Sequence, residues 1–294
     1  MLEEFLNPTM QPFLDSTTPF EEAHYVIIGA PFDGTSSYRR GSRFAPSAIR
    51  RASLYMETLS LRTGLDLDDV EIADVGDVKG LESVEEAVHA VEAVARRVQG
   101  AGKVPIVIGG EHTVTLGALR ALKPDAVVDF DAHFDLRDSL LGLRLSHATF
   151  MRRALEEFDT KLVVLGCRAL SREEMEFASD EDDLTFVTSA ELFKNGVERG
   201  AEAVLEELGD VSSVYLSIDM DVLDPAYAPA VGNPSPEGIS VTMLLDILAE
   251  VVDGRFLGFD VTEVAPHYDS GLTATHAAYI TLETIYALES ARRG

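Results

Sequence analysis

Residues 126–135 read AVVDFDAHFD, so an apolar run leads directly into a cluster of acids and a histidine. If the backbone stays extended past this run, Asp131, His133 and Asp135 project to one side, because strand side chains repeat every second residue. A lone cluster of this kind is more often a polar loop with a hydrogen-bonded histidine. Similar clusters at other strand ends would instead favour a bound cation.

Further candidate ligands follow other apolar runs. Asp219 and Asp221 come directly after residues 211–218, and His112 ends the sequence Gly109-Gly110-Glu111-His112 after residues 103–108. The combined set has six members: His112, Asp131, His133, Asp135, Asp219 and Asp221. Four carboxylates and two imidazoles suit Mn²⁺ or Mg²⁺. Two such ions ~3.5–4 Å apart would make a bridging water acidic, so the set predicts a two-metal hydrolytic site.

Short β-branched strands alternate with helical patterns along the chain, which predicts βαβ units and a parallel sheet. The predicted strands are 25–29, 70–75, 103–108, 126–130, 161–166, 184–187, 211–218 and 255–261. The predicted helices are 47–59, 84–98, 113–122, 149–158, 171–178, 189–208, 242–252 and 273–292. This alternation fits a TIM barrel as well as an open doubly wound sheet, and both bind ligands at the carboxyl ends of strands. We expect one domain over residues 1–294, with residues 1–22 as an extended N-terminal arm.

The composition limits which binding partners and which cellular compartment can be expected for this protein. The 294 residues carry a formal charge of −27, which argues against binding to nucleic acid or to an anionic membrane. No apolar stretch approaches the ~20 residues that span a bilayer, and the acidic, proline-interrupted N-terminus is unlike a secretory signal. The single cysteine, Cys167, excludes an internal disulfide and favours a reducing, cytoplasmic setting.

Five blocks of sequence together resemble the ureohydrolase family, which includes arginase and agmatinase. They occur in the family's order: GGEH at 109–112, DAHFD at 131–135, SH at 146–147, SIDMDVLDP at 217–225 and EVAP at 263–266. The resemblance extends from about Val26 to the final predicted helix. It implies a three-layer α/β/α fold with an open, mainly parallel, eight-stranded sheet and helices on both faces.

The resemblance also implies a binuclear manganese centre with two Mn²⁺ per subunit. One ion would take four ligands: His112, Asp131, Asp135 and Asp219. The other would also take four: His133, Asp131, Asp219 and Asp221. Asp131 and Asp219 would therefore bridge the ions. A bridging hydroxide, oriented by Asp135, would attack the guanidinium carbon of the substrate.

Glu263 and His147 would complete the catalytic set on the same resemblance. Glu263 would hold the guanidinium by carboxylate–guanidinium pairing, and His147 would carry a proton to the leaving amine. Apart from the family, Glu263 ends the apolar strand FLGFDV, where an unpaired carboxylate is costly and a cationic partner is expected. His147 in isolation would more often be structural, and only its position after the metal cluster favours catalysis.

The substrate is expected to be a small cationic guanidino compound. Loop 136–147 has only Ser139 and Ser146 as hydroxyl residues, whereas arginase-like members use a polar run there to bind an α-carboxylate. Residues 38–46 are also more similar to agmatinases, so agmatine, giving putrescine and urea, is the first choice. Residues 229–234 read PAVGNP where the family has PGTGTP, and Arg144 could pair with a carboxylate or point to solvent. Guanidinobutyrate, aminopropylagmatine and arginine therefore stay open.

Two other functions fit the sequence less well. A catalytically silent ureohydrolase-like subunit has no reason to keep a full set of acidic ligands. A two-metal phosphoesterase is disfavoured because the surroundings are acidic and the clusters have no phosphate-cradling glycine loop. Members of the family are usually trimers or hexamers, so a homo-oligomer is expected by analogy.

Overall fold

In the computed structural model, which describes residues 4–294, nine strands form one open sheet. The strands are β1 (Leu6–Asn7), β2 (Tyr25–Ala30), β3 (Ile72–Val78), β4 (Val104–Gly109), β5 (Ala126–Phe130), β6 (Lys161–Cys167), β7 (Leu184–Thr188), β8 (Val214–Asp219) and β9 (Phe256–Thr262). Their spatial order is β1-β3-β2-β4-β9-β8-β5-β6-β7. Every neighbouring pair is parallel except β1 and β3. The sheet has two edges, so the barrel alternative is wrong.

The ninth strand, β1, comes from the arm, which was predicted to stay extended outside an eight-stranded sheet. Leu6 pairs with Val78 and Asn7 pairs with Asp77, in antiparallel register. Gly76, with a φ of 88°, permits this approach because a Cβ there would overlap the carbonyl oxygen of Asn7. Phe13 of the arm is fully buried. The arm therefore covers one edge of the sheet, and its residues 1–3 lie outside the described residues.

Eight α-helices within the described residues cover both faces of the sheet. They are α1 (Ala45–Ser53), α2 (Val84–Gly100), α3 (Thr115–Leu122), α4 (Phe150–Glu157), α5 (Arg172–Asp180), α6 (Ser189–Leu208), α7 (Val241–Val251) and α8 (Leu272–Arg293). Helices α1, α6, α7 and α8 pack on one face, and α2 to α5 on the other. Strand residues alternate accordingly: Tyr25 and Ile27 join one core, while Val26 and Ile28 join the other. This arrangement confirms the predicted three-layer α/β/α class.

Helix ends agree with the sequence signals where a cap is present. The predicted capping box at α5 forms, because Ser171 Oγ accepts from the Glu174 backbone N–H at 3.3 Å and Glu174 Oε2 accepts from the Ser171 N–H at 2.9 Å. Helix α1 ends at Ser53, earlier than predicted, because Tyr55 and Leu59 are exposed and offer no buried face.

Across residues 4–294, no helix is long and apolar enough to cross a membrane.

Four central strands, in the order β4-β9-β8-β5, position the candidate site. Each is buried along most of its length. Their carboxyl ends lie side by side at one edge of the sheet, which is where open α/β sheets bind ligands. The three ligand clusters and Glu263 follow directly from these four ends.

Candidate metal centre

His112 faces three carboxylates at the end of β4. Its Nδ1 atom lies 3.2 Å from Asp131 Oδ2, 3.3 Å from Asp135 Oδ2 and 3.2 Å from Asp219 Oδ2. His112 and Asp131 are fully buried, and the two other carboxylates are nearly so. The ends of β4, β5 and β8 thus contribute to one cluster.

A second cluster forms around His133. Its Nδ1 atom lies 3.4 Å from Asp131 Oδ1 and 3.2 Å from Asp221 Oδ2. Asp131 belongs to both clusters, with one carboxylate oxygen toward each histidine, as expected of a bridging ligand. Asp219, the other predicted bridge, directs Oδ2 to His112 while its Oδ1 accepts from the Asp221 backbone N–H at 2.8 Å.

Two buried atoms in this cluster indicate a cation. His112 Nδ1 and Asp131 Oδ2 have no hydrogen-bond partner within residues 4–294. A buried polar atom without a partner costs roughly 1–3 kcal/mol, and two that face each other point to a shared third atom. The surrounding donors are carboxylate oxygens and imidazole nitrogens, which bind Mn²⁺ well. The residues present therefore fit a pair of divalent ions.

A hydrogen-bond chain behind His112 fixes its tautomer. His112 Nε2 lies 2.8 Å from Ser217 Oγ, and Ser217 Oγ donates to Asp260 Oδ1 at 2.9 Å. Tyr215 donates its hydroxyl to the other oxygen of Asp260 at 2.8 Å. Because Ser217 gives its only hydroxyl hydrogen to Asp260, Nε2 of His112 must donate, so in the neutral ring Nδ1 is the nitrogen with a free lone pair toward the carboxylates.

Backbone strain occurs at two of the predicted site residues. Asp135 has a φ of 54° and Glu263 a φ of 65°, in the left-handed region that non-glycine residues rarely adopt. Such conformations cost about 1–3 kcal/mol each and persist only where the surroundings impose them. Glu263 directly follows β9, whereas Asp135 lies in the loop after β5, and both residues line the cavity.

The uncompensated charges shift the pKa values of several groups in the cluster. Burial raises the pKa of Asp135 to about 7, with Asp131 adding to the shift, and it raises the pKa of Asp219 well above its usual value. Burial opposes a charge on His112 and on His133. The carboxylates around these rings outweigh that effect and raise both pKa values well above the usual value. Without a metal, protons must therefore supply the missing positive charge.

Glu263 lies beside this cluster with its carboxylate buried. Its only side-chain hydrogen bond within the described chain is from the backbone N–H of His112, at 2.9 Å to Oε1. Burial, followed by repulsion from Asp219 and Glu111, raises the pKa of Glu263 well above its usual value. The other oxygen, Oε2, faces Gly232, where a Cβ would lie only 2.7 Å away. The site thus holds a carboxylate that lacks a cation.

His147 is held by the loop that follows β2. Thr35 Oγ1 lies 3.3 Å from its Nδ1, and Ser37 Oγ lies 3.1 Å from its Nε2. Burial, followed by positive charge on His133 and His112, lowers the pKa of His147 to about 4. This is below the near-neutral value expected from the sequence, so the ring is neutral at pH 7.

One cavity of about 240 Å³ joins these groups. Its walls include five predicted metal ligands, and they also include His147 and Glu263. Arg137 lines it as well, with its guanidinium 3.5 Å from Glu174. Arg144 instead lies 68% exposed, 3.5 Å from Asp138 and 3.7 Å from Glu156, so it agrees with the solvent-facing alternative.

A sequence model of the arginase family matches residues 23–286. The chain belongs to the arginase family. This membership confirms the predicted resemblance, and the family's motifs coincide with the strand ends that meet at the cavity. The match covers all nine strands except β1, so the arm lies outside it.

Several of the arginase-family proteins similar to this chain have names that refer to agmatine or its derivatives, and others are named proclavaminate amidinohydrolase and guanidinobutyrase. This chain is 35% identical to the N(1)-aminopropylagmatine ureohydrolase of Thermococcus kodakarensis, over 91% of its own length and 92% of that protein. It is 34% identical to the agmatinase of Pyrococcus horikoshii, over 92% of this chain and 93% of that protein. The solved agmatine ureohydrolase of Thermoplasma volcanium superposes with a TM-score of 0.88 and 38% identity, over 97% of this chain and 96% of that one.

Sequence reasoning missed several residues of this arginase-family cavity. Ser37 lines the cavity and Thr35 contacts His147 there, both from a loop without any periodic pattern, and Glu111 has no role in the sequence prediction beyond preceding His112. Arg137 lies in loop 136–147, which was expected to line the outer pocket, although this residue was not singled out. A usable signal exists for two of them, because Thr35 and Ser37 closely follow the end of β2, another strand end near the centre of the sheet.

Proposed function

We propose that this protein is a binuclear manganese amidinohydrolase that converts agmatine and water into putrescine and urea. The observation that carries the proposal is the pair of buried, unpartnered atoms His112 Nδ1 and Asp131 Oδ2, surrounded by further carboxylates. In the reaction a C–O bond forms at the guanidinium carbon, and the C–N bond to the substrate amine breaks. The agmatinase and ureohydrolase relatives support a hydrolase of guanidino groups.

The metal ions would occupy the two clusters. His112, Asp135 and Asp219 would bind one ion, His133 and Asp221 would bind the other, and Asp131 would bind both. Asp219 would be the second residue shared by the two ions. When bound, the two ions lower the pKa of a water molecule between them and so supply a nucleophile near neutral pH.

Glu263 would bind the guanidinium group of the substrate. Its Oε1 atom is already fixed by the His112 backbone N–H, while Oε2 faces the open space beside Gly232. A guanidinium donates two parallel hydrogen bonds to a carboxylate, and burial strengthens that pairing. The cation would also satisfy the uncompensated charge of Glu263, so substrate binding is favoured over binding of a neutral analogue.

His147 would deliver a proton to the departing amine. A neutral ring can accept a proton at one nitrogen and release it within the same pocket, provided that its orientation is fixed. Hydrogen bonds with Thr35 and Ser37 provide that fixation. Amine release requires this proton, because an unprotonated amide anion is a very poor leaving group.

A second candidate substrate is guanidinobutyrate, which has a carboxylate tail. Arg137 favours it, because this guanidinium lines the cavity and could pair with that carboxylate. For agmatine, the buried carboxylate of Glu174 beside Arg137 would offset its repulsion of the substrate's amine. The named relatives favour agmatine or aminopropylagmatine, and agmatine is therefore placed first.

The decisive experiment is a urea-release assay with Mn²⁺ on agmatine, aminopropylagmatine, guanidinobutyrate and arginine. We expect agmatine to give the highest kcat/KM, EDTA to abolish urea release and Mn²⁺ to restore it. Asp219→Asn should lower kcat at least 100-fold because it removes a ligand charge. The matched control Asp246→Asn, in a surface ion pair with Arg62, should behave like the parent protein. No urea from any of the four substrates would end the proposal, and a preference for guanidinobutyrate would select the second candidate.

We also propose a cytoplasmic homo-oligomer, either a trimer or a hexamer. A single, buried cysteine is compatible with a reducing compartment. The oligomer is proposed from the family alone, and light scattering of the purified chain would determine its mass.

A further inference from the structure

We propose that Glu111, acting through Thr35, positions His147 and holds its neutral ring with the proton on Nδ1. Glu111 and Thr35 are then positioning residues, and Nε2 is the atom that exchanges a proton inside the cavity. The proposal rests on the proposed function for its kinetic consequence. The protonation of the ring follows from hydrogen bonding alone.

Glu111 is a fully buried carboxylate with five donors. Its Oε2 accepts from the backbone N–H groups of Thr35 at 2.7 Å and Ser36 at 3.0 Å, and from the Ser36 hydroxyl at 3.4 Å. Its Oε1 accepts from the hydroxyls of Thr35 at 2.5 Å and Thr113 at 2.6 Å. With five donors around its two oxygens, the Glu111 side chain serves as the acceptor in every one of these hydrogen bonds. Glu111 therefore ties the loop after β2 to the end of β4.

The Thr35 hydroxyl has one hydrogen, which it donates to Glu111 Oε1. Thr35 Oγ1 also accepts the backbone N–H of His147 at 3.0 Å. Only a lone pair of Oγ1 then remains for the ring of His147, whose Nδ1 lies 3.3 Å away. Nδ1 must therefore carry a hydrogen and donate it to Thr35. Any other assignment leaves two acceptors facing each other.

The other ring nitrogen, Nε2, is consequently bare in the neutral ring. It faces Ser37 Oγ at 3.1 Å, and both Ser37 and His147 line the cavity. A bare Nε2 can take a proton from the cavity and return it to a leaving group there. If the ring adopted the opposite tautomer, Nε2 would already be protonated and could not act as the acceptor.

The chain offers a matched set of variants to test this arrangement. Thr35→Val keeps the shape of the side chain and removes the hydroxyl, whereas Thr35→Ser keeps the hydroxyl. Thr160→Val is the control, because Thr160 is also buried and its hydroxyl has no hydrogen-bond partner in the described part of the chain. Thr160 directly precedes β6 and so lies at the amino ends of the strands, whereas the cavity lies at their carboxyl ends.

We expect Thr35→Val to lower kcat for urea release roughly 10- to 100-fold. This is part of the roughly 10²- to 10⁴-fold rate acceleration that acid–base catalysis typically contributes. The KM should change less than about twofold, because Thr35 does not contact the predicted guanidinium site at Glu263. Thr35→Ser should recover most of the lost kcat, and Thr160→Val should match the parent. A loss of activity through general misfolding would not separate the valine and serine variants in this way. Equal kcat in Thr35→Val and the parent protein would overturn the positioning role.

A second readout does not depend on activity. The full chain, labelled with ¹⁵N-histidine and loaded with diamagnetic Zn²⁺, reports which ring nitrogen carries a proton in two-bond ¹H–¹⁵N spectra. His147→Gln identifies the His147 signals by their loss. We expect an Nδ1–H ring in the parent and in Thr35→Ser, and a mixture of tautomers in Thr35→Val. An Nε2–H ring in the parent overturns the proposal, even if urea is released. Failure to release urea, with an Nδ1–H ring, would count against the proposed function alone.

Discussion

At the scale of single residues, Gly232 is the position where the loop 229–234 passes Glu263. A Cβ on Gly232 would lie 2.7 Å from Glu263 Oε2, closer than side-chain atoms pack. A larger residue at position 232 would therefore force the Glu263 carboxylate to shift, whereas the φ of Gly232 lies outside the left-handed region and does not itself require glycine. The segment that lacks the family's hydroxyls still provides room for the carboxylate.

Gly232→Ala should reduce kcat/KM about tenfold, mainly through KM, because the new methyl group pushes Glu263 away from its guanidinium-binding position. A tenfold loss corresponds to about 1.4 kcal/mol of transition-state stabilisation. Mn²⁺ content, measured by atomic absorption, should stay at the parent value because Glu263 is not a predicted ligand. The control is Gly254→Ala, where a Cβ meets no atom within 4 Å. If Gly254→Ala lost as much activity as Gly232→Ala, the steric explanation would be wrong.

The residues that could be predicted from sequence are those that follow a regular pattern. Asp131, His133 and Asp135 alternate after a strand, so the periodicity of the sequence alone indicates their common direction. Ser37 and Asn233 line the cavity only because loops distant in sequence from the ligand clusters fold over it, and no local periodicity records such contacts. The carboxylate of Asp135 reaches the cluster through a left-handed φ, although its prediction assumed an extended backbone. The pattern therefore identifies the residue correctly while its local geometry differs from the one expected.

At the scale of elements, Arg168 joins three segments around the second metal cluster. It follows β6 and donates to the carbonyl oxygens of Asp221 at 2.7 Å and Val222 at 3.1 Å. It also donates to those of Ser235 and Pro236, both at 2.9 Å. The guanidinium thereby fixes the turn that carries Asp221 against the following loop. Burial lowers the pKa of Arg168, and the negative charge of nearby carboxylates, led by Asp221, opposes this shift.

Arg168→Met should lower the free energy of unfolding by about 3 kcal/mol, because several buried, charge-assisted hydrogen bonds are lost together. Compared with Arg168→Met, Arg168→Lys should recover only part of the lost free energy of unfolding, since an ammonium cannot reach all of these carbonyl oxygens. The measurement is urea denaturation followed by circular dichroism, since the chain has no tryptophan. Arg62→Met, which breaks a partly exposed ion pair with Asp246, should cost less than about 1 kcal/mol. Equal losses at Arg168 and Arg62 would contradict the assigned role.

Buried parallel strands were the most predictable elements, because each is a short apolar run between turn signals. Strand β1 was missed since it has two residues and is defined by pairing with β3, about 70 residues away in sequence. Helix α1 was predicted too long because Tyr55 and Leu59 resemble a continuing apolar face, although both are exposed. Periodicity identifies a face and does not reveal whether another element covers it.

At the scale of the whole molecule, the chain folds around a group of like charges that only cations can balance. In the metal-free protein the pKa values of His112 and His133 are well above their usual values. The folded state therefore holds more protons than the unfolded chain above pH 7. Stability must then decrease as pH rises through this range, because folding and proton binding are linked.

Metal-free protein in EDTA should lose stability between pH 7 and pH 9, by about 1.4 kcal/mol per pH unit for each excess proton. Saturating Mn²⁺ should reverse the trend, because the ions compete with protons for the same ligands and stabilise more strongly as pH rises. Urea denaturation at several pH values, with and without Mn²⁺, measures both slopes. A flat or rising profile in EDTA would contradict the prediction.

The last strand of the sheet, β9, is inserted between β4 and β8 at its centre. A nascent chain that has not yet released residues 256–262 has a gap there, so His112 is separated from the carboxylates that follow β5 and β8. The proposed metal centre could therefore assemble only after residues 256–262 have left the ribosome, and shorter translation products would fail to capture its ions.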